Sequence, residues 1–170
     1  AQFDFSAVTP TAVAPMLEKE FAEVEKTARI YGYKGEGLVK IGNDFFKEKS
    51  FKFADESLFE VMDYTFIRGK AATALASPFQ IVLTKKMADK YFPQQDALGQ
   101  VLSIDGQPWT VSGVVTTPPS DTKLPFQAIM SNKHLKRYQQ PIWHSANDIT
   151  LVLLKDPASL PSLQQKANAH

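Results

Sequence analysis

Residues 81–115, IVLTKKMADKYFPQQDALGQVLSIDGQPWTVSGVV, constrain the fold more than any other stretch of the chain. The run opens with Ile-Val-Leu, which is typical of a buried strand. Thr84 follows as an N-cap, and residues 85–92 repeat apolar side chains at helical spacing until Pro93 ends the helix. We therefore predict a short strand that leads directly into an amphipathic helix.

The second half of this stretch predicts a β-hairpin. Residues 101–104 and 109–115 are strand-like runs, and the Asp105-Gly106 pair between them is favoured where a tight turn needs positive φ. Trp109 and every second residue after it share one face of the second strand, which places Trp109 in the core. The unit is thus a strand, a helix and a hairpin, and it contains no obvious catalytic group.

The order of residues in this unit resembles the extracytoplasmic core domain of MacB-like and FtsX-like ABC transporter permeases. That family has a strand, a Leu-Ser/Thr-x-x-x-Ala-x-x-x-Phe helix, an Asp-x-x-Gly loop and a hairpin that ends in Val-x-Gly-Val. The residues that fit are Leu83, Thr84, Ala88, Phe92, Asp96, Gly99, Asp105, Gly106, Val111, Gly113 and Val114. A second matching run consists of Ala54, Asp55, Leu58, Phe59, Met62, Phe66, Ile67 and Gly69.

The resemblance implies an α+β fold with two lobes. A porter-like β-α-β lobe would be formed by both chain ends, residues 1–76 and 148–170. A mixed α/β lobe with the strand-helix-hairpin unit, residues 77–147, would be inserted between them. Because the chain opens without a signal peptide and closes on an unfinished helix, we expect an excised domain whose first lobe is completed by a strand beyond His170.

For function, the resemblance implies the periplasmic domain of an ABC transporter permease subunit in the bacterial inner membrane. Such a domain has no chemistry of its own and couples cytoplasmic ATP hydrolysis to a periplasmic adaptor or to an exported peptide or lipoprotein. ATP would be bound by a separate nucleotide-binding domain or subunit. Membrane helices outside this sequence would connect that domain or subunit to this one, and the full transporter would be a homodimer. The alternative is a stand-alone secreted module that binds a peptide or a glycan.

Composition excludes several classes of protein. At 170 residues the chain is long enough for one sizeable core or two small lobes. Cysteine is absent, which excludes disulfides, thiolate catalysis and Cys-ligated metals. The net charge of +1 provides no global field for nucleic acid, and no apolar run is long enough to span a bilayer.

Candidate catalytic and metal-binding residues do not cluster in the sequence. His134, His144 and His170 lack the spacing of a metal site and are interpreted as surface residues. Ser145, His144 and Asp148 could be drawn as a triad, but no Gly-x-Ser-x-Gly elbow accompanies them. Glycine motifs for phosphate binding are also missing. We therefore predict neither an enzyme nor a domain that binds a cofactor or nucleic acid.

Contact with a protein partner is predicted for two aromatic residues, Trp143 and Tyr138. Trp143 lies in the irregular stretch 132–145, where we expect an exposed side chain, and Trp is enriched at binding hot spots. Tyr138 lies beside a basic cluster that is interpreted as a solvated surface. The cluster consists of Lys133, His134, Lys136 and Arg137.

Alternation and turn signals predict the remaining elements. The predicted strands are residues 2–8, 27–33, 37–41, 51–53, 124–130 and 149–154. A helix capped by Thr9 or Thr11 should carry Phe21 and Val24 on its apolar stripe, as core residues.

Two further helices are predicted. Asp55 should cap a short helix that carries Leu58 and Phe59. A helix over residues 160–169 should turn Leu160 and Leu163 inward.

Overall fold

The computed structural model describes residues 8–32, 36–119 and 124–168, so most of the strand predicted over residues 2–8 lies outside the described chain. The α-helices are α1 (Val13–Glu20), α2 (Leu58–Val61), α3 (Lys85–Tyr91), α4 (Lys136–Gln139) and α5 (Leu160–Asn168). The strands are β1 (Thr9–Pro10), β2 (Val24–Gly32), β3 (Gly37–Ile41), β4 (Asp44–Glu48), β5 (Phe51–Ala54), β6 (Phe66–Gly69), β7 (Gln80–Thr84), β8 (Val101–Ile104), β9 (Gln107–Val115), β10 (Ala128–Ser131) and β11 (Ala146–Leu154). No helix among these residues is both long and apolar enough to cross a membrane.

The described strands form one mixed sheet. Its order is β1-β11-β2-β5-β10-β7-β9-β8-β3-β4, and β6 pairs with β9. The parallel pairs are β5 with β10 and β7 with β9. The sheet is therefore continuous from strands near both chain ends, through β5 and β10, to the β3–β4 hairpin. The predicted division into two lobes stays a prediction.

Apolar residues cover both faces of the sheet. Ile81 and Leu83 of β7 pack with α3, whereas Val82 between them packs with α2. Successive strand residues point to opposite faces, so these contacts define two separate apolar layers. A third, smaller cluster joins Phe21 and Val24 to Leu163 of α5.

The predicted strand-helix-hairpin unit is confirmed. The Thr84 hydroxyl accepts a hydrogen bond from the Met87 backbone N–H at 3.4 Å and caps α3. Asp105 and Gly106 both have positive φ, 49° and 86°, as a two-residue hairpin turn with a right-handed strand twist requires. Trp109 is 4% exposed and belongs to the core.

The start of the chain corrects two predictions. Ala12 occupies the N-cap of α1 and no side chain caps the helix, because the Thr11 hydroxyl instead accepts from the Ile142 N–H at 2.9 Å. The Thr9 hydroxyl is bound to that of Thr150. The helix ends at Glu20 and Val24 begins β2, so Val24 is a core residue, as predicted, but not a helical one.

Other corrections concern short elements. The strand predicted over residues 124–130 is limited to β10, because only the residues from Ala128 onward pair with β5 and β7. Helix α4 lies within the stretch predicted as irregular, and β4 was not predicted. Of the two leucines predicted to face inward from the last helix, Leu163 is buried but Leu160 is 47% exposed.

Candidate functional site

Asp55 is the centre of a polar cluster and does not cap a helix. Helix α2 begins at Leu58, after Ser57 at its N-cap. The Asp55 carboxylate accepts hydrogen bonds from Arg29, from Nε at 2.7 Å, Nη2 at 2.8 Å and the backbone N–H at 2.8 Å. The two side chains are only 16% and 11% exposed, so this bidentate ion pair is shielded from water.

The ion pair connects distant parts of the chain. Arg29 lies on β2, Asp55 directly follows β5, and Arg29 Nη1 donates to the Thr11 carbonyl at 2.9 Å. Asn132, directly after β10, donates from Nδ2 to the Asp55 carboxylate at 2.7 Å. With four donors on its two oxygens, the carboxylate is fully hydrogen-bonded.

A buried carboxylate extends this cluster to β11. Asp148 is 0% exposed and accepts hydrogen bonds from the Tyr138 hydroxyl and from Arg137 Nη2. Burial raises the pKa of the Tyr138 hydroxyl well above its usual range, and the hydrogen bond to Asp148 raises it further, so Tyr138 remains a donor. The guanidinium groups of Arg29 and Arg137 lie 4.8 and 5.2 Å from the centre of its ring.

We call Arg29, Asp55, Asn132, Arg137, Tyr138 and Asp148 the polar junction. Three of its members, Asn132, Arg137 and Tyr138, lie in residues 132–142, which we call the bridge segment. The other three lie on or beside strands of the sheet. The junction therefore fixes the bridge segment to the sheet by buried, charge-assisted hydrogen bonds.

A groove of about 510 Å³ lies beside the polar junction, between α1, α2 and α4. Lys26 pairs with Glu60 at 2.6 Å and Lys133 pairs with Glu56 at 2.7 Å along its walls. Glu18 accepts from the Thr27 backbone N–H and hydroxyl. Each charged residue that lines the groove thus has a partner within the chain. The groove presents little uncompensated charge to a ligand.

The opposite side of the bridge segment packs against aromatic rings. His134 lies 4.7 Å from Phe79, 5.3 Å from Trp109 and 5.6 Å from Phe53, measured between ring centres. We call these four residues the aromatic cluster. His134 is half-buried, which corrects its interpretation as a surface residue, whereas His144 is exposed as predicted. His170 lies outside the described residues.

Comparison with known proteins identifies the family. The family model of the MacB-like periplasmic core domain matches residues 2–170. The chain belongs to this family. The resemblance found in the sequence is thereby confirmed, and the chain is the periplasmic domain of a MacB-like ABC transporter permease.

Relatives of the MacB-like domain agree with this assignment. The macrolide export ATP-binding/permease protein MacB 2 of Aeromonas hydrophila is 26% identical over 137 residues, which cover 76% of this chain and 20% of that protein. The chain therefore spans about a fifth of the length of this curated relative.

Solved structures show the shared fold. A domain of a permease protein from Porphyromonas gingivalis superimposes with a TM-score of 0.76 at 20% identity, covering 96% of this chain and 78% of that one. The periplasmic region of MacB from Actinobacillus actinomycetemcomitans gives 0.68 at 18% identity, with 95% and 73% covered. The extracellular domain of the noncanonic ABC-type transporter YknZ from Gram-positive bacteria gives 0.65 at 17% identity, with 93% and 79% covered.

The MacB-like domain places the two predicted contact residues in different surroundings. Trp143 is 61% exposed, as expected for a contact residue. Tyr138 is buried and its hydroxyl is bound to Asp148. Partner contact stays a prediction for both residues.

The candidate triad is not assembled in the MacB-like domain. The Asp148 carboxylate is held by Arg137 and Tyr138 and so is not free to orient His144, while the Ser145 hydroxyl accepts from Asn147. Within the described residues, no three His, Asp or Glu side chains converge as metal ligands would.

The polar junction was missed in the sequence. The partners Arg29 and Asp55 are 26 residues apart, and Asn132 and Asp55 are 77 apart. No local periodicity links such residues. The one usable signal was an Arg in the middle of an otherwise strand-like run, because a charged residue on a buried strand needs an oppositely charged partner.

Proposed function

We propose that this MacB-like domain transmits motion from the membrane part of the transporter to a periplasmic adaptor or to an exported peptide or lipoprotein. The motion would originate in ATP hydrolysis at a separate nucleotide-binding domain or subunit. The supporting observation is the polar junction, a buried set of ion pairs that fixes the bridge segment to a continuous sheet. A domain held in this way moves as one body.

The continuous sheet supports transmission within the domain. Strands of the predicted first lobe, residues 1–76 and 148–170, pair with strands of the predicted inserted lobe, residues 77–147, at three places: β5 with β10, β3 with β8, and β6 with β9. Bending between the lobes would break hydrogen bonds that water cannot easily replace in a buried sheet. We therefore propose that the two lobes move together and that any hinge lies outside the domain.

The partners follow from this proposal. The transporter would be a homodimer in the bacterial inner membrane. Membrane helices would connect this domain to the ATP-binding subunit. Exposed Trp143 would contact the periplasmic adaptor or the substrate, because a large exposed aromatic side chain gains much energy when a partner buries it. Membership of the MacB-like family favours this function over a stand-alone module for peptides or glycans.

A distance measurement in the full-length transporter tests the proposed coupling. The domain has no native cysteine, so a single Asn43→Cys substitution at the exposed β3–β4 turn places one spin label on each protomer, once cysteines elsewhere in the transporter are replaced. We expect the distance between the two labels to shift when ATP is bound and to return after hydrolysis. An unchanged distance in a transporter that hydrolyses ATP normally would contradict the coupling.

A further inference from the structure

His134 connects the bridge segment to the sheet through the aromatic cluster. Its ring contacts Phe53 of β5, Phe79 of the turn before β7, and Trp109 of β9. Leu135, next in the chain, packs against the same apolar layer. His134 and Leu135 thus pack the bridge segment against this part of the sheet, and His134 alone provides its contacts with the three aromatic rings.

The imidazole lies in surroundings that favour its neutral form. Nδ1 is buried and makes no hydrogen bond of normal geometry with any described residue. Burial lowers the pKa of His134 below its ordinary value, and the backbone of Ser131 opposes this shift. The Ser131 backbone favours the protonated imidazole, but burial outweighs it, so the surroundings favour the neutral ring overall.

Few charged groups face His134 from the elements packed against it. On β5, Lys52 points to the opposite face from Phe53, and the next acid, Asp55, is already bound to Arg29. The residues beside the two other rings are uncharged, namely Ser77, Pro78, Gln80, Pro108 and Thr110.

The bridge segment itself supplies only positive charges near the imidazole. Lys133 is paired with Glu56 and Arg137 with Asp148, and Lys136 is exposed. The described surroundings therefore hold no uncommitted carboxylate for a protonated His134.

Phe79, a member of the aromatic cluster, has a strained backbone conformation. Its φ of 57° is in the left-handed region, which is unfavourable for a large side chain. The conformation presents the ring to both Trp109 and His134, and the Phe79 carbonyl accepts from the Thr110 N–H at 2.9 Å. Such strain persists only while the surrounding contacts maintain it.

We propose that His134 is a proton-sensitive latch: its neutral ring holds the bridge segment against the aromatic cluster, and protonation in mildly acidic surroundings releases the segment on this side. The polar junction continues to hold the other side. The latch is a property of the domain alone and does not depend on coupling to ATP hydrolysis.

The direction of the pH effect follows from linkage. The unfolded chain binds a proton with a pKa near 6.5, whereas the folded domain binds it less readily. Above the unfolded pKa both states are neutral and the contribution of His134 to stability is complete. As the pH falls from 6.5 through the lowered folded pKa, the free energy of unfolding decreases, and it levels off below that value.

Tryptophan fluorescence gives a direct readout of the latch. The chain has two tryptophans, so Trp143→Phe leaves only Trp109, whose ring is in contact with His134. Protonation and release of the imidazole both change the surroundings of this indole. We expect the emission of Trp109 in this variant to change along a single titration curve with its midpoint below pH 6.5.

Two matched variants test whether His134 is the group that titrates. Adding His134→Phe retains an aromatic ring but removes the proton, and we expect a flat curve. Adding His144→Phe, at an exposed histidine, should leave the curve unchanged. If His134→Phe prevented folding, NMR titration of the imidazole protons in the unaltered chain would give the same midpoint.

Release of the bridge segment is measured separately, by hydrogen exchange of peptides that cover residues 133–140. After correction for the intrinsic rate, we expect a loss of protection between about pH 7.5 and about pH 5 in the unaltered chain but not in His134→Phe. A midpoint at or above 6.5 would show that the rings stabilise the cation, and equal protection at both pH values would show that protonation releases nothing. Either result would overturn the latch.

Discussion

The polar junction and the aromatic cluster lie on two sides of the bridge segment and hold it by different forces. On one side, buried ion pairs connect Arg29 to Asp55 and Arg137 to Asp148. On the other, His134 packs among rings that belong to a large apolar layer. The apolar side gains energy from area removed from water, which is not directional, whereas the polar side requires particular atoms at particular distances.

Because of this difference, the two sides should contribute differently to the free energy of unfolding and to the position of the bridge segment. A buried ion pair loses hydration energy that nearly offsets its attraction, so it adds little net stability compared with apolar residues of the same size. Removing one partner is nevertheless costly, because an unpaired charge remains. We therefore expect the aromatic side to dominate the free energy of unfolding and the polar side to determine where the bridge segment lies.

The largest expected effect is on the aromatic side. Trp109→Ala should lower the free energy of unfolding by about 3–5 kcal/mol, since it leaves a cavity in the apolar layer. Urea unfolding measures this loss. The matched control is Trp143→Ala, whose side chain is exposed and whose loss should be within about 0.5 kcal/mol. Equal losses for both variants would contradict the assignment of Trp109 to the core.

On the polar side, Asp55→Ala should cost about 3 kcal/mol, because Arg29 and Asn132 lose their acceptor in a shielded site. The double variant Arg29→Met/Asp55→Leu removes both charges and should recover most of that loss. Urea unfolding of Arg29→Met, Asp55→Leu and the double variant forms a complete double-mutant cycle. A double variant as unstable as Asp55→Ala would mean that the pair contributes net stability, and the contrast between the two sides would fail.

A smaller effect is expected at Thr84, which caps α3 near the apolar layer. Thr84→Ala removes the acceptor for the Met87 N–H and should cost about 1 kcal/mol. Thr84→Ser keeps the hydroxyl and should retain most of the stability. If the alanine and serine variants unfolded at the same urea concentration, the loss would come from the methyl group and not from the cap.

The smallest effect is expected at Lys52, a half-buried lysine on β5, the strand that both sides share. Burial lowers the pKa of its ammonium group from 10.5, so the folded state holds this proton less readily than the unfolded state. Stability should therefore rise as the pH increases through the lowered pKa toward 10.5, and be reduced below it.

Lys52→Met removes this penalty and should stabilise the chain at neutral pH by less than about 1 kcal/mol. Lys40→Met, at an exposed lysine of β3, is the control and should change little. Destabilisation by Lys52→Met would indicate that the ammonium group has a favourable partner.

The two regions also differ in how far the sequence predicts them. Alternation places Trp109 in the core, and the spacing of Thr84 and Pro93 defines α3 almost to the residue, because these signals lie within one element. The motif order over residues 81–115 identifies the family.

The features that the sequence does not predict depend on contacts between distant residues or on local patterns that are too short or too uniform to interpret. Asp55 is a reasonable helix cap by local rules, but Arg29 is close enough to bind it only in the folded chain. Strand β4 was missed because Phe45 is exposed and Phe46 half-buried, so identical residues conceal the alternation. Helix α4 is a single turn without a side-chain cap, too short for a periodic pattern.

If the polar junction makes the domain a single rigid body, distances within the domain do not change during ATP hydrolysis. Spin labels at Gln95→Cys in the predicted inserted lobe and Gln165→Cys in the predicted first lobe, both exposed, would report the distance between the loop after α3 and α5 within one protomer. The labelled protomer would be diluted with unlabelled protomers in the full-length transporter. We expect one distance, the same with and without ATP. A second distance that appears with ATP would contradict it and would place a hinge inside the domain.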